Sequence, residues 1–67
     1  MKIVTLTLAE AVYRLQLAGL KTSKETLGAG LKSGVYPFGV GFTGPRGGTV
    51  YQIFSRQLEE WIEERSE

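Results

Sequence analysis

The chain contains no cysteine, no histidine and no aspartate. Without cysteine no disulfide forms, and without cysteine or histidine a Cys/His zinc site is excluded. Histidine is the side chain that titrates nearest neutral pH, and cysteine is the readiest nucleophile. A catalytic carboxylate pair would have to come from Glu10, Glu25 and the glutamates near the C-terminus, whose spacing marks a solvated face. No run approaches the ~20 apolar residues of a membrane span. Met1 to Leu8 is too short and too polar for a secretory leader. The absence of cysteine fits a reducing compartment, so a cytoplasmic location is expected.

What is present is a chain of 67 residues, rich in glycine and 42% hydrophobic. That length allows one domain, residues 1–67, with a thin core held by packing alone. The glycines of Gly39-Val40-Gly41 and of Gly44 to Gly48 are followed by a strand-like run. Phosphate-binding glycine loops need a following helix whose N-terminus meets the phosphate. No enzymatic role, no cofactor and no small-molecule substrate are therefore expected.

Net charge is only +1, but its distribution is uneven. Residues 1–56 carry Lys2, Arg14, Lys21, Lys24, Lys32, Arg46 and Arg56 against Glu10 and Glu25, a net +5. Residues 57–67 carry Arg65 against five glutamates, a net −4. The asymmetry fits a surface that faces a polyanion, and equally two ordinary solvated surfaces.

Lys2 to Leu6 is β-branched and apolar, which predicts a short strand or an extended lead-in. Thr7-Leu8-Ala9-Glu10 is a capping box, and Leu8, Ala11, Val12, Leu15 and Ala18 follow at helical spacing. The first helix is expected over 8–18, with Gly19 ending it. Thr22-Ser23-Lys24-Glu25 repeats the capping-box pattern and opens a second helix from about Ser23 to Ser33, stopped by Gly34. Gly28 and Gly30 inside it cost about 1 kcal/mol each relative to alanine. Close approach of another part of the protein, or of a DNA backbone, would account for them.

Pro37 forbids further helix. Phe38 to Thr43 and Thr49 to Phe54 read as strands joined by Gly44-Pro45-Arg46-Gly47-Gly48, a hairpin with an arginine at its tip. Tyr36, Phe38, Phe42, Tyr51 and Phe54 read mainly as core, with stacking on single-stranded nucleic acid as the other reading. Ser55 is placed to cap a last helix with Leu58, Trp61, Ile62 and Arg65 inward.

Two capped helices joined by a tight glycine-containing connection form a helix-turn-helix candidate. In that motif the start of the second helix meets base edges, here Thr22, Ser23, Lys24, Glu25 and Thr26. Lys24 can reach guanine or phosphate, and Ser23 and Thr26 can contact phosphate or base edges. Glu25 can accept from cytosine N4, though a capping role explains it equally well. Lys32 adds a cation further along the helix. Arg46 at the hairpin tip, with Thr43 beside it, suits phosphates or a narrow minor groove, and is also what an ordinary exposed loop would carry.

Gly30-Leu31-Lys32-Ser33-Gly34-Val35-Tyr36-Pro37-Phe38-Gly39 resembles a G-L-x-x-G-x-x-P-F-G signature of small helix-turn-helix proteins of phages and integrative elements. Thr7-Leu8-Ala9-Glu10-Ala11 before it, and Tyr51-Gln52-Ile53 and Leu58-Glu59-Glu60-Trp61-Ile62 after it, extend the likeness over nearly the whole chain. The wider group is the excisionase-like proteins, which share a winged-helix fold with mercury-resistance-type regulators. The resemblance implies an accessory factor rather than a recombinase. Such factors bind repeated sites near an element's end, bend the DNA and direct integrase toward excision, and several repress promoters. The recognition helix then maps to Ser23–Ser33 and the wing to Phe42–Val50. The chain departs from relatives in a longer connection between the capping boxes. It also has Leu27, Gly28 and Ala29 where many relatives carry arginines, which leaves Lys24, Lys32 and Arg46 to supply mostly phosphate affinity.

The expected fold is α+β, a winged helix-turn-helix of a short extended segment, two helices, a two-stranded antiparallel hairpin and a C-terminal helix. The expected partner is double-stranded DNA, with integrase or a second copy as a protein partner and no membrane. A small repressor of the same fold, and an interaction module that has lost DNA binding, are the alternatives. An adjacent integrase gene would favour excision control over repression.

Overall fold

The computed structural model describes residues 1–67. It is an α+β chain in the order β1 (Thr5–Leu6), α1 (Leu8–Leu17), α2 (Lys24–Ser33), β2 (Gly39–Thr43), β3 (Thr49–Phe54) and α3 (Ser55–Arg65). The strands form one antiparallel sheet in the order β1-β3-β2. The expected hairpin is present, with Gly39 opposite Ile53 and Thr43 opposite Thr49. The lead-in adds a third strand, with Thr5 opposite Phe54 and Leu6 opposite Ile53. No helix is long and apolar enough to cross a membrane.

The first capping box forms as the sequence indicates. The Thr7 hydroxyl accepts from the Glu10 N–H at 3.1 Å, and the Glu10 carboxylate accepts from the Thr7 N–H at 3.1 Å. The Thr7 backbone N–H, and after it the Thr7 hydroxyl, holds the Glu10 carboxyl below the ordinary glutamate range. A depressed carboxylate pKa stabilises the fold above the unfolded value and loses that contribution as pH falls through the folded one. The Thr7 amide shift, followed by NMR against pH, is therefore expected to step below about 4.3, the free glutamate value. Glu10→Gln removes the step, and a midpoint at the free value would contradict the box.

Helix α1 closes one residue earlier than expected, at Leu17. Gly19 donates to the Gln16 carbonyl and Leu20 to the Leu15 carbonyl, each at 3.0 Å, which is the two-bond helix stop that glycine permits. At the start of α2 the geometry differs from the sequence expectation. Ser23, not Thr22, is the cap, extended at φ −136° and ψ 169°, with its hydroxyl accepting from the Thr26 N–H at 3.2 Å. Thr22 is held one residue outside the helix because its carbonyl accepts from the Gln16 side chain at 3.0 Å. The frame shift puts Thr26 at the third helical position, so Glu25 closes no capping box.

Helix α3 also starts differently. Phe54 takes the cap position and makes no side-chain cap bond, and Ser55 is the first helical residue. The Ser55 N–H is already committed to the Val4 carbonyl at 2.9 Å, extending the β1 pairing, and its hydroxyl accepts from Arg14 at 3.4 Å. The chain thus passes from β3 into α3 with no loop.

Nine residues are buried in one apolar cluster: Leu6, Ala11, Val12, Leu15, Leu27, Leu31, Phe38, Ile53 and Leu58. Every element except β2 contributes a side chain to it, and β2 contributes its fully packed Gly39. Aromatic groups join the α2–β2 connection to α3. Tyr36 stacks on Phe38 at 5.0 Å, and Phe38 and Tyr36 meet the Trp61 ring edge-on at 5.3 and 5.9 Å. Arg65 lies 4.2 Å above Trp61. Phe42 departs from the core reading of the aromatics. It stands exposed beside Val40 on the outer face of the sheet, because even-numbered β2 residues point away from the helices.

The glycines of α2 make room for protein rather than DNA. A Cβ at Gly28 would lie 2.7 Å from the Tyr51 hydroxyl, and one at Gly30 would overlap the Tyr36 ring. The two positions are expected to respond oppositely to alanine. The Tyr51 hydroxyl is the free end of a side chain and can swing aside, so Gly28→Ala keeps most of its ~1 kcal/mol helix gain. The Tyr36 ring is held by Phe38 and Trp61, so Gly30→Ala is expected to lose about 1–3 kcal/mol through overpacking. Urea titration of both variants tests the contrast, and equal stabilisation would show that the Tyr36 ring is not fixed.

Candidate nucleic-acid interface

The polar start of α2 is built by its cap. The Ser23 and Thr26 hydroxyls bond to each other at 3.1 Å, so both are pre-positioned on the exposed first turn. Lys24 lies between them, exposed. Thr22 is half-buried, its carbonyl taken by Gln16 and its hydroxyl directed at the Ser23 carbonyl at 3.5 Å. It therefore shapes the turn more than it presents a side chain.

Burial sorts the faces of α2. Leu27, Gly28 and Leu31 face the core, and Gly30 is covered by Tyr36. Glu25, Ala29 and Ser33, four residues apart in turn, form the exposed line on the opposite side. Lys32 lies between this line and the hairpin. A Cβ at Gly41 would stand 3.0 Å from Lys32 Cγ, so the lysine stem runs along β2 while its ammonium stays in water.

The hairpin ends in a tight turn. Gly47 donates to the Gly44 carbonyl at 3.0 Å and Gly44 donates to the Gly48 carbonyl at 2.7 Å. Pro45 and Arg46 are the central residues, and Gly47 adopts φ 86°, which a Cβ would oppose. Arg46 is thereby held at the far end of a closed turn, exposed, with Thr43 exposed at the end of β2. Lys32 is the site residue that bridges helix and hairpin. No hydrogen bond joins the Ser23–Lys24–Thr26 group to the Thr43–Arg46 group.

The charges divide by whether they are used internally. Two ion pairs form: Arg14 with Glu59 at 3.1 Å and Arg65 with Glu64 at 3.9 Å. Both use carboxylates of α3. Both are surface pairs, worth about 0–1 kcal/mol. Lys21, Lys24, Lys32, Arg46 and Arg56 pair with nothing, and residues 19–56 hold one carboxylate, Glu25. Lys21 and Arg56 belong to no motif that marks them in the sequence. Lys21 is exposed in the connection between α1 and α2, where the bond from Gln16 to the Thr22 carbonyl fixes the turn. A side-chain bond six residues along the chain leaves no periodic signal in a sequence.

Three clefts mark the surface, one of about 300 Å³ being lined by Glu60, Glu63 and Glu64. One of about 500 Å³ lies between the N-terminal segment and the start of α3, and one of about 200 Å³ lies between the end of α1 and Trp61 and Ile62. No group of three or more acidic, histidine or cysteine side chains is arranged to hold a metal ion. Comparison with family models, curated proteins and solved structures found no match to this chain.

Proposed function

We propose that this chain is a non-enzymatic winged helix-turn-helix that binds double-stranded DNA, with α2 in the major groove and the Arg46 turn at the neighbouring backbone or minor groove. One observation carries the reading. The cations of residues 19–56 have no internal partner and face a single carboxylate, while the arginines 14 and 65 are paired with the acidic last helix. Unpaired lysine and arginine gain most by releasing counterions from a polyanion. The order of helix, helix, hairpin and helix supports the winged form, and the α2 start offers small hydrogen-bonding side chains beside Lys24.

The resemblance in the signature from Gly30 to Gly39 extends the proposal to an excisionase-like accessory factor of a phage or mobile element, one that assists integrase by bending DNA. Arg46 and Lys32 then anchor the backbone, and the acidic face of α3 is left free for integrase or a second copy. Fluorescence anisotropy with the duplex flanking its own gene tests binding. Affinity is expected to fall steeply between roughly 50 and 200 mM salt. Absence of binding at the lower salt would overturn the proposal.

The exposed Val40 and Phe42 favour a second reading, a protein-interaction module. Apolar side chains at 45% and 43% exposure on one sheet face are where such a partner would dock. That reading expects partner contacts on the outer sheet face and none on α2.

A further inference from the structure

We infer that the free edge of β2 takes up an extended peptide segment of a protein partner, one that alternates apolar and acidic residues, as an added strand of the sheet. The inference goes beyond duplex binding and stands whether or not the chain binds DNA. β2 is an outer strand, since the order is β1-β3-β2. In an antiparallel ladder alternate residues exchange backbone bonds with the neighbouring strand, and the residues between them turn their groups the other way. Two bonds set the phase. Phe54 donates to the Phe38 carbonyl at 2.8 Å and Gly44 donates to the Gly48 carbonyl at 2.7 Å, at the two ends of a register that pairs Val40 with Gln52 and Phe42 with Val50. Even-numbered residues of β2 therefore bond to β3. Gly39, Gly41 and Thr43 turn their N–H and C=O groups out of the sheet. Gly39 is buried beneath Leu31, whereas Gly41 is half-buried and Thr43 exposed.

An open edge is usually blunted by a charge, a proline or a bulge. Gly39 to Thr43 carries no charge and no proline, and its register runs without a bulge. An added strand would bond to the outward groups of Gly41 and Thr43 and take its specificity from the side chains beside it. On the outer sheet face those neighbours are Val40 and Phe42, both apolar and exposed. On the inner face the neighbour is Lys32, whose stem runs along Gly41, with Arg46 in the turn beyond Thr43. Neither cation has an ion pair, and no carboxylate lies between Glu25 and Glu59. Apolar residues on one face and acidic residues on the other complement this edge. A second copy of the chain fits it poorly. Leu31 packs on Gly39 and Lys32 on Gly41, so α2 runs along β2. Two β2 strands paired at about 4.8 Å would crowd two such helices, which pack at about 8–10 Å. A bare peptide strand carries no helix.

The probe is a short synthetic peptide of alternating glutamate and valine, blocked at both ends and titrated into isotope-labelled protein. Hydrogen exchange at the Gly41 and Thr43 amides is expected to slow on binding, because each gains an acceptor. Successive residues of a strand turn their N–H groups to opposite edges, so methylating the nitrogens of one set, glutamates or valines, is expected to weaken binding roughly tenfold or more and methylating the other set hardly at all. Thr43→Pro is expected to weaken binding to a similar degree, since it removes an outward N–H and leaves the β2–β3 bonds in place. Amide spectra check that this variant is folded, and the methylated peptides make the same test on unaltered protein. A peptide with lysine in place of glutamate is expected to bind several-fold more weakly. Absence of binding, or equal tolerance of both methylated sets, overturns the inference. Shifts at Val40 and Phe42 with no slowing at Gly41 and Thr43 place the peptide on the sheet face and overturn the edge. Slowing that appears without peptide and grows with protein concentration makes a second copy the occupant and overturns the choice of partner. Equal affinity for the lysine peptide overturns its acidic character.

Discussion

Phe38→Ala is expected to leave the domain largely unfolded at ambient temperature. Phe38 is fully buried, the largest side chain in the core, and it lies in contact with two further rings. Removing a buried phenylalanine costs about 3–5 kcal/mol through lost transfer energy and the cavity left behind. A chain of this size has roughly 3–10 kcal/mol in total. The chain has no cysteine for a disulfide, and its buried side chains form a single cluster. The loss also spreads, because Tyr36 and Trp61 pack on the same ring and Tyr36 is what Gly30 makes room for. Far-UV circular dichroism with urea titration measures this. Retention of a sharp transition within about 1 kcal/mol of wild type would show that the aromatic group does not tie α2 to α3.

Loss of the free cations is the second large effect, on the proposed binding rather than on stability. Lys24 and Arg46 are exposed and make no ion pair or hydrogen bond, so their replacement leaves no buried group unsatisfied. Stability changes within about 0.5 kcal/mol are expected for each. Duplex affinity near 50 mM salt is expected to fall roughly three- to tenfold for Lys24→Ala and for Arg46→Ala, with the slope of log affinity against log salt reduced by about one unit each. The two groups do not share a partner, so the double variant is expected to lose close to the product of the two. Arg65→Ala is the matched control, since its guanidinium is engaged with Trp61 and Glu64 on α3. An equal loss for Arg65→Ala would mean that net charge, not the placement of Lys24 and Arg46, governs binding.

Local signals in the sequence are legible where the structure uses local bonds. The Thr7–Glu10 box, the glycine stops of α1 and α2, the hairpin turn and the inward Leu58, Trp61 and Ile62 all follow from spacing and turn chemistry. The differences arise where a distant residue competes for the same group. Thr22 was an equally good cap by pattern until Gln16 took its carbonyl. Ser55 was an equally good cap by pattern, but it takes the first helical position and its hydroxyl accepts from Arg14 instead. The short β1 strand depended on pairing with β3, Thr5 with Phe54 and Leu6 with Ile53, which no local pattern encodes. The glycines of α2 marked a close approach, and the sequence left open what approached. The rings of Tyr51 and Tyr36 fill that place.

For the candidate site the residue types were legible and their use was not. Lys24, Lys32 and Arg46 stand exposed as their surroundings in the sequence suggested, while the pairing of Arg14 and Arg65 with α3 separated structural cations from free ones only in three dimensions. The shift of the α2 cap from Thr22 to Ser23 leaves Glu25 outside any capping box.

The central claim, that α2 and the hairpin tip form one duplex-binding surface, is tested most directly by NMR. Isotope-labelled protein is titrated at low salt with the duplex flanking its own gene. Amide shifts concentrated at residues 21–33 and 43–48, with α3 and the outer sheet face unmoved, are the predicted result. Absence of shifts, or shifts centred on Val40, Phe42 or α3, would contradict it.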